Sequence, residues 1–155
     1  MEHVFQFIKQ GRQAFINLIN DLSIDQLNEI PTGFNNNIIW NFGHAVIATQ
    51  LLTYVRTGAR PDASSVKYAA AYAKGTKPTY FVSQEEVDDL KKLALETIDQ
   101  LEKDYHAGLF TDITAYSTDT YKETMSSIEQ VIILTAGHDN LHYGYAIAQK
   151  RTINK

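Results

Sequence analysis

Residues 126–150 read SSIEQVIILTAGHDNLHYGYAIAQK, and this stretch decides the fold class. Ser126 with Glu129 three residues on has the form of a capping box. From there the spacing predicts a helix to about Lys150. Its run Val131-Ile132-Ile133-Leu134-Thr135-Ala136 is apolar nearly all round, so it is expected to be the most enclosed helix of the chain. Lys150 and Arg151 suit the negative end of the helix dipole. Two histidines break the apolar surface. His138 and His142 lie four apart, which stacks their imidazoles one turn apart on one face, with Leu134, Thr135, Leu141 and Tyr145 on or near it.

Three further helical patterns precede this one. The first runs from about Glu2 to Leu22 on Val4, Ile8, Phe15, Leu18, Ile19 and Leu22, with Gly11 weakening its middle. Ser23 and Gln26 then form a capping box for a short turn that ends before Pro31. The second spans about Ile38 to Thr57, with Phe42, Ala45, Val46, Leu52 and Val55 as its apolar face. Any of Asn35, Asn36 and Asn37 can cap it, and Gly58 can stop it. The third starts behind the Ser83/Glu86 box and runs to about Tyr105, with Gly108 closing it. Between helices two and three, residues 59–82 are too long for a structureless link, so a crossover or site-covering segment with short helical turns is expected. Residues 109–124 read as irregular. The fold class is therefore all-α: a four-helix bundle with a long crossover connection between helices 2 and 3, one domain over residues 1–155.

Composition narrows the function classes. At 155 residues with 44% hydrophobic content the chain can bury a core without staples, and with no cysteine it has no disulfide, thiolate ligand or cysteine nucleophile. Net charge is −4 with scattered lysines and arginines, so no basic footprint for nucleic acid is visible. The N-terminus lacks a signal-peptide pattern, and the best apolar stretch, Ile128 to Ala136, is half a membrane span and carries Glu129. A cytoplasmic, soluble protein without membrane or nucleic-acid partners is expected.

His44 is the third histidine of interest, with Gly43 beside it removing a side chain and opening space for a close approach. The spacing pairs His138 with His142 but does not bring His44 to them. Trp40 and Asn41, together with Thr135 and Tyr145, are candidate pocket residues; core packing is the competing role for Trp40 and Tyr145. Tyr143 points elsewhere than Tyr145. His3 and His106 read as surface or capping residues, and Gln10, Gln13 and Asn17 as solvent-facing, with a hydrogen-bond donor pointing into the cavity as the competing role for one of the three. Tyr68, Tyr72 and Tyr80 are candidates to cover the pocket mouth or a partner subunit. Lys74-Gly75-Thr76 reads as a turn, since the full phosphate-loop pattern is absent, as is His-Glu-x-x-His.

The stretch Gly33–Gln50, the Lys74-Gly75-Thr76-x-Pro78 element and Gly137-His138-x3-His142-x-Gly144, in that order and spacing, resemble the DinB-like four-helix superfamily over essentially the whole chain. The resemblance implies a bundle with a long crossover after its second helix, and a homodimer. It also implies a metal held by one histidine of the second helix and two of the fourth, here His44, His138 and His142. Three neutral imidazoles with an open position are the donor set of a catalytic site. Imidazole suits zinc, nickel, iron and copper; zinc or nickel is the expected divalent ion. Relatives include enzymes that activate low-molecular-weight thiols for S-transfer or isomerisation. The resemblance thus implies a metal-dependent enzyme acting on a small molecule, of thiol S-transferase type, with a metal-stabilised binding protein without turnover as the alternative. It assigns no catalytic acid or base.

Overall fold

The structure, a computed structural model, describes residues 1–153, which are mostly helical. In chain order the helices are α1 (Glu2–Asn20), α2 (Ile24–Asn28), α3 (Ile38–Gln50), α4 (Ala69–Tyr72), α5 (Gln84–His106) and α6 (Ile128–Ile153). A single π-helical turn, Leu51–Val55, continues α3. The long helices meet in a ring: α3 packs on α6 and α5, and α1 packs on the same two.

Local chemistry accounts for most of the boundaries. Ser23 and Gln26 make both hydrogen bonds of a capping box at α2. Of the three asparagines it is Asn37 whose side chain accepts from Trp40 N, at 2.9 Å, and starts α3. Ser83 accepts from Glu86 N at the head of α5. The cap of α6 falls one residue later than the sequence predicts. Gln130 Oε1 accepts from the backbone of Ser126 and Ser127, while Ser127 Oγ accepts from Gln130 N. Glu129 instead accepts the Tyr105 hydroxyl at 2.9 Å. Its own backbone N–H and the Ser127 hydroxyl also hold the Glu129 carboxyl below its ordinary range, so the side chain stays at the first turn and it is Gln130 that folds back to the Ser126 N–H.

The long connections are only partly irregular. Residues 59–82 contain a short 3₁₀ turn, Ala63–Ser65, and α4. Residues 109–124, expected to lack regular structure, contribute to a small antiparallel hairpin. There β1 (Tyr116–Ser117) pairs with β2 (Thr124–Met125).

Burial corrects one expectation. The most enclosed helix is α3, whose residues Ile38 to Thr49 are all buried, and not α6, which leaves Ile133, Leu141 and Tyr145 exposed. The sequence hides this because α3 carries Asn41, His44 and Thr49, which read as a polar face. All three are hydrogen-bonded inside the protein, so burying them costs little. Correspondingly, Ile38–Val55 has the length and mean hydropathy (1.2) of a membrane span, yet 78% of that window is buried within the fold, as in a core helix.

Arg12 of α1 is the least expected member of the core, at 1% exposure. Its guanidinium meets Asp139 of α6 through two contacts of 2.6 and 3.1 Å, and reaches Ala45 O and Thr49 Oγ1 of α3 at 2.9 and 2.8 Å. One side chain thereby ties three helices together at the level of His138. Burial pushes the Asp139 carboxyl above its ordinary range and Arg12 opposes that. A buried charge is tolerable only with such a partner.

Candidate metal centre

His44, His138 and His142 converge. One ring nitrogen from each lies within 4.8 Å of the others. Their ring centroids are 4.5–5.1 Å apart. His138 and His142 arrive by the one-turn spacing on α6. His44 arrives because α3 and α6 pack face to face, a tertiary fact that no spacing contains.

Each outer histidine is oriented from behind. His44 Nδ1 lies 2.6 Å from the Tyr72 carbonyl oxygen, which can only accept, so Nδ1 carries the proton and Nε2 keeps its lone pair. Tyr72 can approach because residue 43 is glycine: a Cβ there would sit 2.5 Å from the Tyr72 ring. The Tyr72 hydroxyl is anchored on Glu86 Oε1 at 2.5 Å, and Trp40 stacks on His44 at 4.7 Å with only 7° between planes. Trp40 Nε1 donates to Thr76 Oγ1 at 3.1 Å, so the Lys74-Gly75-Thr76 turn buttresses the same ring.

His142 is oriented by a chain of amides whose direction is fixed at its far end. Gln149 Nε2 donates to the Asn36 backbone carbonyl at 2.8 Å, which turns Gln149 Oε1 toward Asn41 Nδ2 at 3.0 Å. Asn41 Nδ2 also donates to the Asn37 carbonyl, leaving Asn41 Oδ1 to accept from His142 Nδ1 at 2.8 Å. His142 Nε2 is therefore free. His138 has no such support: its Nδ1 is buried without a hydrogen-bond partner, as is Arg12 Nη1.

All three imidazoles are held neutral. Burial lowers His44 despite its bond to Tyr72. Burial, then the nearby His44 and Arg12, lowers His138 to about 4, and burial with the two other histidines lowers His142 to about 3. A cluster of neutral imidazoles, two of them with Nδ1–H pinned by an acceptor so that Nε2 keeps its lone pair, is the donor chemistry of a divalent metal centre. The three can hold such an ion. Among the described residues, no carboxylate joins them: Asp139 is committed to Arg12 and points into the core.

The triad opens into a cavity of about 360 Å³. Its walls are apolar, formed by Ala48, Leu51, Leu52, Leu134 and Leu141, and its rim carries Arg56, Lys74, Thr118, Asp119, Thr120 and Tyr121. Lys74 and Asp119 form an ion pair that joins the two long connections across the mouth. Gly137 makes room for Tyr121, whose hydroxyl would lie 3.1 Å from a Cβ at that position.

The other candidate pocket residues fall behind or beside this cavity. Trp40 and Asn41 contact the histidines from the protein side. Thr135 is buried with its hydroxyl on the Ile132 carbonyl, and half-exposed Tyr145 reaches only the edge of His142, with ring centroids 6.4 Å apart. None of the four lines the cavity. Tyr143 packs on Phe15 in the core. Of the crossover tyrosines, Tyr72 is buried against Gly43, Tyr80 donates to Glu86 and Tyr68 lies under Lys67, so none covers the mouth. Lys74 and Ala73 of that segment do. His3 and His106 are exposed, as are Gln10, Gln13 and Asn17. Sequence reasoning missed Arg12, Gln149 and the rim residues, because each is recognisable only by what it meets across the fold.

The sequence profile described as the DinB superfamily matches residues 8–146. A comparison with curated proteins returns no match.

Proposed function

The chain belongs to the DinB superfamily, and on that premise we propose that it is a divalent-metal-dependent enzyme acting on a small molecule, of thiol S-transferase type, with His44, His138 and His142 as the metal ligands. The observation that carries this reading is the convergence of three neutral imidazoles, two of them oriented by hydrogen bonds, on the floor of an apolar cavity. The ring of α1, α3, α5 and α6 with the 59–82 connection fits the superfamily's four-helix bundle and crossover.

Zinc or nickel suits the donor set, and when bound it would supply Lewis acidity that lowers the pKa of a thiol or water. In thiol transfer the thiol gives up its proton, its sulfur bonds to an electrophilic carbon, and the leaving group departs with the bonding pair. The chain's own part is to position and to exclude water. Tyr72 and Asn41 hold the Nδ1 protons of His44 and His142, so both rings present Nε2 without rearrangement. The leucine walls keep the reacting groups dry, and Tyr121 places a hydroxyl at the rim. The test is thiol addition to a panel of activated electrophiles. Turnover should disappear on chelation and in His142→Ala, and return to the wild type on adding metal back.

A second reading, a metal-stabilised binding protein without turnover, is favoured by one observation. The rim carboxylate Asp119 is tied to Lys74 and the buried Asp139 to Arg12, leaving no free acid beside the triad among the described residues. Tight ligand binding with no turnover across the panel would select it.

The homodimer belongs to the same proposal. Ile133 and Tyr145 of α6 are 56% and 49% exposed, apolar surface suited to a second copy. Sedimentation should give a dimer that Ile133→Lys weakens; a monomer at all concentrations would contradict it.

A further inference from the structure

The π-helical turn at Leu51–Val55 changes which residue faces the cavity. His44 and Arg56 are twelve residues apart on one continuous helical rod. At the α-helical 100° per residue, Arg56 would lie about 120° away from His44 and Val55 would take its place. The wider turn, sealed by the Arg56 N to Leu51 O bond at 2.9 Å, slows the rotation and brings Arg56 back to within about 30° of the His44 face. The outcome is visible in the lining: Ala48, Leu51, Leu52 and Arg56 face the cavity, and half-buried Val55 packs against the core instead.

Arg56 is also held there. Its guanidinium lies 4.4 Å from the Tyr116 ring centroid and donates to Ser117 O at 3.2 Å, and the Tyr116 hydroxyl donates to the Leu52 carbonyl of the same π turn at 2.9 Å. One tyrosine thus braces both the turn and the side chain the turn redirects. No carboxylate is ion-paired with Arg56 among the described residues, and Asp119 beside it is engaged by Lys74. Lys74 and Arg56 both lower the Asp119 carboxyl, so this side of the rim carries two cations against one carboxylate, with the Asp119 hydrogen bond going to Lys74 and the guanidinium of Arg56 oriented at the far end of an apolar cavity from the histidines. About 18 Å of helix axis separates the two residues at α-helical rise, a gap shortened by the arginine stem leaning back toward the N-terminal turn.

We infer that Arg56 reads a terminal oxyanion, and that the cavity takes an elongated small molecule with a metal-seeking group at one end and a carboxylate-like group at the other. This deepens the metal-enzyme reading and rests on it for the floor of the site. Arg56 is a specificity residue here. A guanidinium at an open rim, screened by solvent, should give about a tenfold preference for the anion.

The experiment titrates the cobalt-loaded protein with 3-mercaptopropionate, 6-mercaptohexanoate and the neutral 6-mercaptohexanol. Affinities come from methyl NMR shifts of the cavity leucines, and sulfur ligation from the thiolate-to-cobalt absorption band. The expected result is 6-mercaptohexanoate binding about tenfold tighter than 6-mercaptohexanol, with 3-mercaptopropionate, too short to reach both ends, gaining no such advantage. In Arg56→Gln the ratio of the two six-carbon affinities should fall to about one, and in Arg56→Lys the preference should survive in part. Equal affinity of the two six-carbon thiols for the wild type, a comparison that needs no variant to fold, would overturn the inference, as would a preference that persists in Arg56→Gln. Failure of the protein to retain cobalt would instead sink the metal reading. The NMR comparison on metal-free protein would then still decide for or against Arg56.

Discussion

Asn41 cannot serve His142 unless its amide is turned one way, and the backbone carbonyls of Asn37 and Asn36 fix that turn directly and through Gln149. Such partners of ligating histidines typically matter 10- to 100-fold in metal affinity. Asn41→Ala should therefore weaken divalent-ion binding by about that factor while circular dichroism stays helical; unchanged affinity would show that packing alone orients His142. The sequence displays Asn41 but not its task, because the partners that reveal it, His142 and Gln149, lie 101 and 108 residues ahead. The same holds for Tyr72, whose contribution to the site is a backbone carbonyl that no side-chain motif reveals.

At the scale of elements, two glycines that look alike in the sequence behave oppositely. Gly11 sits inside α1, and a Cβ there would meet nothing within 4 Å. Gly11→Ala should stabilise the protein by about 0.5–1 kcal/mol, since it removes backbone freedom from the unfolded chain and adds no clash. At Gly43 a Cβ would press into the Tyr72 ring at 2.5 Å. Gly43→Ala should cost about 1–3 kcal/mol as overpacking and should also displace the carbonyl that orients His44. Thermal or denaturant unfolding of the pair checks both signs. The helices themselves were legible, because Ser23, Asn37 and Ser83 cap where local chemistry says they must. The degree of enclosure was not. Asn41, His44 and Thr49 make α3 look half-polar until their internal partners are known, and the apolar run of α6 gives no hint that Ile133 faces outward. The π turn was equally silent, since nothing in Leu-Leu-Thr-Tyr-Val departs from an ordinary helix.

For the molecule as a whole, burying three imidazoles makes metal-free stability depend on pH. His138 and His142 titrate near 4 and near 3 in the folded chain, against about 6.5 when unfolded. Between those values the unfolded state binds more protons, so stability is full above pH 6.5 and falls as the pH drops toward 4. The three sites share their charges and cannot be summed independently; a loss of about 3 kcal/mol is the scale set by one such shift. For a domain of this size that is about 6–12 °C in Tm. Replacing His142 with glutamine should flatten the profile, and a Tm independent of pH over this range would mean the histidines do not carry the acid sensitivity.

The convergence of His44 with His138 and His142 is the centre of the account, and metal content tests it most directly. Protein loaded with excess zinc or cobalt and freed of loose ions by gel filtration should retain close to one ion per chain. Cobalt should show the intense visible bands of a low-coordinate nitrogen site. His44→Ala should lose the ion as fully as His138→Ala or His142→Ala while remaining helical, since the three donors act as one site. Retention of a full equivalent in His44→Ala, or no stoichiometric ion in the wild type, would contradict it.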